Sequence, residues 1–394
     1  MMRNATILSA CLSIACAVQS AENLNDALKA AGDGLNAPDG FKVSLIASDP
    51  LVFNPAAMCV APDGRIFVAE DFVHAHVKDR KTDTIKVLIG AEKGGRATGS
   101  IILAEDLGSV QGMTFYDGRL FIAHTPYISM LPVGENNKAG EMVHLFNGVG
   151  IPTAAKASHC ASGMTVHEGK LYFVFGDQGC DFMTREGRQM TLDSGAILRC
   201  DPDGRNVEVY ASGFRNIYGV AFDGLGNAFV RDNTNDGGGY NVRSYHVIKG
   251  GYYGWPFRWR DADGATPPID VLSMSRDNGG GSPTGCVFLN SLAYPPPYRG
   301  SVIFCEWGRG MMIRATPVPK DATFDLPEVP FITESKGAKE YTFRPTTIAI
   351  APDQSLIIAD WASSSLYPTT GRGRIFRVTY EGARPEQTAP LPAV

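Results

Sequence analysis

The sequence predicts an all-β fold: a six-bladed β-propeller of four-stranded antiparallel blades, closed by pairing of its N- and C-terminal strands. Three observations predict it. The 394 residues include 44 Gly and 25 Pro and only 20% charged side chains, a profile of short strands and turns rather than long helices. A unit of apolar run, turn and second apolar run recurs six times in one register, turning at Gly64, Gly118, Gly169, Gly226, Gly300 and Gln354. Its step of about 50–75 residues suits radial repetition of four-stranded sheets. Finally, Arg374-Ile375-Phe376-Arg377-Val378 lacks a partner strand, and the alternating Phe41-Lys42-Val43-Ser44-Leu45 can supply one, leaving no open edge.

Residues 1–21 pair Arg3 with an uncharged run of small apolar residues and read as a signal peptide with cleavage after Ala17 or Ala21. The run is too short to span a bilayer. Leu8-Ser9-Ala10-Cys11 is like a lipoprotein processing site, but the apolar run before it is too brief, so export to the periplasm or medium without lipidation is expected. Residues 22–39 form an N-terminal extension with a short helix expected over 22–36 (Leu24, Ala27, Leu28, Ala31), residues 40–380 the propeller, and residues 381–394 a tail. The long step before Gly300 carries Trp255-Pro256 and Asp277-Asn278-Gly279-Gly280-Gly281 and reads as an elaborated surface loop.

A net charge of -5 argues against a nucleic-acid partner. Cys160 and Cys180 flank the third hairpin and are candidates for a disulfide across its open end. No Cys-x-x-Cys-His occurs, which excludes covalent c-type haem. His246 reads as a packed strand residue, and His74-x-His76 as a solvated loop.

The repeat also serves as a ruler. In a propeller the first strand of each blade lines the central channel, so residues just before it and just after the second strand share one face. Four positions before the strand-opening residues Ala57, Gly112, Gly163, Gly219, Gly285 and Thr347 stand Phe53, Gly108, His159, Arg215, Gly281 and Phe343. Three before them stand Asn54, Ser109, Cys160, Asn216, Ser282 and Arg344. The second strands end at Glu70, His124, Phe175, Asp232, Glu306 and Asp360, and blade three delays its polar pair to Asp177-Gln178. Carboxylates around one mouth suit a hard cation, Ca²⁺ above all. They equally suit turn N–H groups or a neighbouring Arg. The guanidinium groups of Arg215 and Arg344 suit an anionic ligand, and His159 and His124 are the neutral bases of the rim.

From about Gly40 to Val378 the chain resembles the glucose/sorbosone dehydrogenase family, soluble six-bladed quinoproteins that use pyrroloquinoline quinone (PQQ) and Ca²⁺. The likeness is carried by His159 to Gly163, Phe175-Gly176-Asp177-Gln178-Gly179, Gly195 to Arg199, Gly213-Phe214-Arg215-Asn216 and Lys249 to Pro256. It implies that His159 and Arg215 are catalytic. It places Arg215, Asn216, Arg344, Gln111, Asp177 and Trp307 at the cofactor or substrate, and the cofactor's calcium at Asp232, Asn233, Thr234 and Asn235. The chain departs from the family in having one Arg at position 344, followed by Pro345, and Gly237-Gly238-Gly239-Tyr240 in place of an acidic calcium segment. The expectation is an exported PQQ-dependent dehydrogenase that takes hydride from a sugar or other alcohol and passes electrons to a separate cytochrome or quinone. Two alternatives stand beside it: a propeller that binds glycans or a protein partner without chemistry, and a calcium-dependent lactonase.

Overall fold

The computed structural model describes residues 28–72, 82–92, 94–150, 159–233, 241–258, 270–336, 342–365 and 372–382. Their sheets form six blades around an axis. Blade one comprises Pro55–Val60, Ile66–Glu70, Asp83–Ile89 and Gly99–Leu107, and blade two Val110–Tyr116, Arg119–His124, Tyr127–Pro132 and Val143–Asn147. Blade three comprises Ala161–His167, Lys170–Phe175, Gly195–Cys200 and Glu208–Phe214, with Gly251–Tyr252 added in parallel; blade four is Ala221–Phe222, Ala228–Asp232, Arg243–Val247 and Arg276–Asp277. Blade five comprises Pro283–Leu289, Ser301–Glu306, Met311–Ala315 and Glu328–Glu334. Blade six takes Pro345–Ile350, Leu356–Asp360 and Arg374–Tyr380 from the end of the chain and Phe41–Ser48 from near its start.

All six expected hairpins form, and each turn residue has the positive φ that a tight hairpin turn requires: Gly64 at 91°, Gly118 at 74°, Gly169 at 70°, Gly226 at 83°, Gly300 at 69° and Gln354 at 67°. The closing pair is antiparallel, with Phe41 opposite Tyr380 and Val43 opposite Val378. Apolar residues on the two faces of each blade interdigitate with those of its neighbours; Phe41, for example, meets Tyr298, Phe331 and Tyr380 edge-on with centroids 4.9, 5.0 and 5.1 Å away.

The N-terminal extension departs from expectation. From Lys29 it is a hairpin, Lys29–Gly32 with Leu35–Ala37, laid on the outer edge of blade five through Leu35 opposite Glu334. Gly32 and Gly34 flank Asp33, all three at positive φ, and a run of left-handed residues ends any helix there. Leu24 and Ala27 lie outside the described residues. The expected Cys160–Cys180 disulfide is also corrected: the two are not bridged, and both are buried thiols, Cys180 inside the apolar cluster between blades two and three and Cys160 beside Thr125.

The first strands approach one another closely along the axis. A Cβ at Gly112 would lie 2.2 Å from the Ser162 carbonyl oxygen, and one at Gly163 would lie 2.2 Å from that of Tyr218. Neither obstacle is a flexible side chain, so the backbone itself demands glycine. Gly163→Ala is therefore expected to destabilise the protein by about 1–3 kcal/mol or more through overpacking, read as a lower urea midpoint; an unchanged midpoint would contradict the close contact.

Candidate active site

The mouth of the channel is built by one repeated irregularity. In every blade the residue two before the strand-opening position pairs with the last residue of the second strand: Pro55 with Glu70, Val110 with His124, Ala161 with Phe175, Ile217 with Asp232, Pro283 with Glu306 and Pro345 with Asp360. In five blades the register then shifts at a bulge, which re-aims the intervening side chain. The face assigned by the ruler is thus a structural fact, and it holds His159, Arg215, Asn216 and the strand-end acids together.

The acids do not point into the channel. Glu70, Asp232, Glu306 and Asp360 are all 0–2% exposed and turn back onto the N–H groups at the start of their own blades. Glu70 Oε1 accepts from Phe53 N at 2.9 Å, Asp232 from Arg215 N at 3.0 Å and Asn216 N at 2.7 Å, and Asp360 from Arg344 N at 2.6 Å; Glu306 accepts from Ser282 N. Three of them also meet a cation or hydroxyl from a neighbouring strand or blade: Lys86 at 2.8 Å and Thr84 at 2.9 Å for Glu70, Arg374 at 2.6 Å for Asp360 and Arg231 at 3.3 Å for Glu306. Burial raises the carboxyl pKa of Asp232, Glu306 and Asp360 above the usual range, with those bonds pulling the other way. The turn-capping role weighed for these acids is the one the structure has, which removes the acid ring on which the lactonase alternative rested.

Blade three breaks the pattern productively. Phe175 is buried where the others have a polar residue, and the carboxylate comes two residues later at Asp177. Asp177 Oδ1 lies 2.7 Å from His159 Nδ1, and Asp177 N donates to the Arg215 carbonyl at 2.6 Å. Gly176 lies between the two blades: a Cβ there would be 2.6 Å from Asn216 Oδ1 and 2.8 Å from His159 Cβ. His159 has φ 62°, a left-handed conformation that a non-glycine residue adopts at a cost and that concentrates at functional sites. A carboxylate only accepts, so His159 Nδ1 carries the proton and Nε2 holds its lone pair for another group.

Arg215 Nη1 donates to the Asn233 carbonyl at 2.6 Å. Asn216 is buried and its Oδ1 has no partner, and the same holds for Arg344 Nε. The Arg344 guanidinium lies 5.5 Å from the Trp307 ring centroid, and Trp307 packs with Trp361 and Ala56. Thr234 and Asn235 lie outside the described residues, as do His74 and His76. His246 is packed, as expected: its ring stands edge-on to Phe324 at 4.9 Å.

Gln111, expected near a substrate, has its amide engaged. Nε2 donates to Asp71 Oδ2 at 2.5 Å and Ser109 Oγ at 2.9 Å, and Oε1 accepts from Tyr218 at 3.2 Å. Asp71 and Tyr218 escaped the sequence reading, although the same ruler, read one position before the strand opening, selects Gln111 and Tyr218 as a pair. Both border the axial channel, a cavity of about 270 Å³ lined by the six first strands.

His124 is 3% exposed and linked through Ser129 to exposed His144, with contacts of 2.6 and 2.8 Å. Burial first, and the charge of His144 second, lower its pKa to about 4. The unfolded imidazole takes a proton near pH 6.5 and the folded one only near 4, so stability is intact above about pH 6.5 and falls as pH drops through that window. At pH 5 the loss attributable to His124 is about 2 kcal/mol. The fall in unfolding free energy between pH 7.5 and 5 should shrink by roughly that amount in His124→Gln; an identical fall in both proteins would show that His124 is free to protonate in the fold.

A family described as a domain of unknown function (DUF7133) matches residues 27–367. No curated protein sequence matches the chain. Solved structures share the fold at low identity. A calcium structure of a Trichoderma reesei carbohydrate-active enzyme of family AA12 is 13% identical, with 90% of this chain and 98% of that one covered and a TM-score of 0.62. The PQQ-bound form of an aldose sugar dehydrogenase from Streptomyces coelicolor is 18% identical over 87% of this chain and 99% of that one, TM-score 0.60. The apo form of the soluble aldose sugar dehydrogenase of Escherichia coli is 13% identical over 86% and 99%, TM-score 0.60. The fold implied by the sequence resemblance is therefore the fold of the chain.

Proposed function

The chain belongs to the DUF7133 family, and from that premise we propose that it is an exported dehydrogenase in which the channel mouth binds PQQ and oxidises a sugar or other alcohol. One juxtaposition carries the reading: the His159–Asp177 pair at 2.7 Å is tied through the Asp177 N–H to the Arg215 carbonyl at 2.6 Å, so a base stands beside the backbone from which the Arg215 side chain springs. The unpartnered Arg344 Nε donor and the Trp307 ring fit a planar polyanionic ligand. When bound, PQQ supplies an electrophilic quinone carbon that accepts hydride. His159 Nε2 takes the hydroxyl proton, Asp177 holds the ring in the tautomer that leaves Nε2 free and stabilises the charge that follows, and Arg215, Asn216 and Arg344 hold the anion. A separate cytochrome or quinone would serve as the electron acceptor.

Calcium fits less well. On the described residues the Asn233 carbonyl already receives Arg215, and both Asp232 oxygens receive backbone N–H groups.

With PQQ and an artificial electron acceptor, a panel of aldoses and alcohols should drive dye reduction. His159→Ala should lower turnover about 10²–10⁴-fold with PQQ affinity little changed, whereas Arg215→Ala should weaken PQQ as well. If the wild-type protein reduces no dye with any member of the panel, the reading gives way to a propeller that binds glycans or a protein.

Export rests on residues 1–21; among the described residues no helix is long and apolar enough to cross a membrane. Mass spectrometry of the native mature protein should find a chain starting after Ala17 or Ala21, and retention of Met1 would refute a cleaved leader.

A further inference from the structure

We propose that Arg215 is itself the cation of this site, so that the mouth takes its anionic ligand without a divalent ion. The inference rests on the anion-binding reading above and deepens it. Arg215 is held at three points: its N–H donates to Asp232 Oδ2 at 3.0 Å, its carbonyl accepts from Asp177 N at 2.6 Å, and Nη1 donates to the Asn233 carbonyl at 2.6 Å. The guanidinium is therefore locked against the backbone oxygen that would otherwise be offered to calcium.

Among the described residues the adjacent carboxylate is also committed. Asp232 is 2% exposed, and its second oxygen accepts from Asn216 N at 2.7 Å. Calcium requires six to eight oxygen ligands at about 2.3–2.6 Å, and among the described residues no group of three or more His, Cys, Asp or Glu side chains is placed to hold a metal. A calcium ion on the Asn233 oxygen would also lie within about 5 Å of the Arg215 nitrogen, a repulsion between like charges in a partly dry site.

The guanidinium can replace what the ion would do for binding. It has five N–H donors in a planar fork. Among the described residues only Nη1 is engaged, to one carbonyl, which leaves donors for a carboxylate or quinone oxygen. The site is thus positively charged and directional without a metal.

The test measures PQQ binding to the full-length protein by tryptophan quenching, once in excess EDTA and once in millimolar calcium. The expected result is the same dissociation constant within about twofold, with Arg215→Gln weakening it at least tenfold in both buffers. A tenfold or greater tightening by calcium in the wild type would overturn the inference while upholding the PQQ reading. Absence of PQQ binding in both buffers would instead overturn the PQQ reading. A calorimetric titration of the protein with calcium alone then decides the cation question independently: no binding heat is expected, and a micromolar site would overturn the inference.

Discussion

The ring depends on a hydrogen bond from one blade's bulge to the backbone of the next. Ser162 Oγ donates to the Ile217 carbonyl at 3.0 Å, Thr284 Oγ1 to that of Pro345 at 2.9 Å and Thr346 Oγ1 to that of Pro55 at 2.6 Å. These are equivalent positions in blades three, five and six. The bulge aims the side chain sideways, and the carbonyl it meets lies where first strands crowd the axis and an unpaired oxygen would be costly. Blades two and four have Gln111 and Tyr218 at that position instead, and these bond to one another across the intervening blade. Three junctions of the ring thus share one stitch, and a longer bond passes blade three, the blade that carries His159.

The same asymmetry governs the carboxylates. In blades one, four, five and six an acid closes its own turn, satisfying N–H groups that burial would otherwise leave unpaired. Blade three has Phe175 in that place. Its carboxylate, displaced to Asp177, spends its backbone N–H on blade four and its side chain on the imidazole. A chemical pair has been made from a structural one by shifting an acid two positions along the chain.

The blades, their register and the shared face of His159 and Arg215 were legible in the sequence because a strand's side-chain period is two and the turn positions are punctuated by Gly. Which way a strand-end acid turns was not. A carboxylate facing the axis and one folded back onto Phe53 N or Arg344 N occupy the same ruler position, and only the bulge separates them. The stretch around Leu28 and Ala31 looked helical because its apolar spacing takes no account of an edge strand's need for a partner; the exposed side of blade five supplied that need. Gln111 borders the axial channel, but its commitment to Asp71 involves a residue 40 positions away, a distance that no local pattern spans.

The strand that seals blade six, Phe41–Ser48, precedes the strands of the five other blades in the sequence, and its partner Arg374–Tyr380 follows them. Until that partner arrives the early strand has nothing to pair with, and the blades between them form an open arc whose end blades expose apolar faces. Closure is a topologically remote event, which makes the final folding step slow and dependent on the whole chain being present. A ring of this design cannot close before its last strand has been made, and every earlier intermediate carries an unpaired edge at Phe41–Ser48.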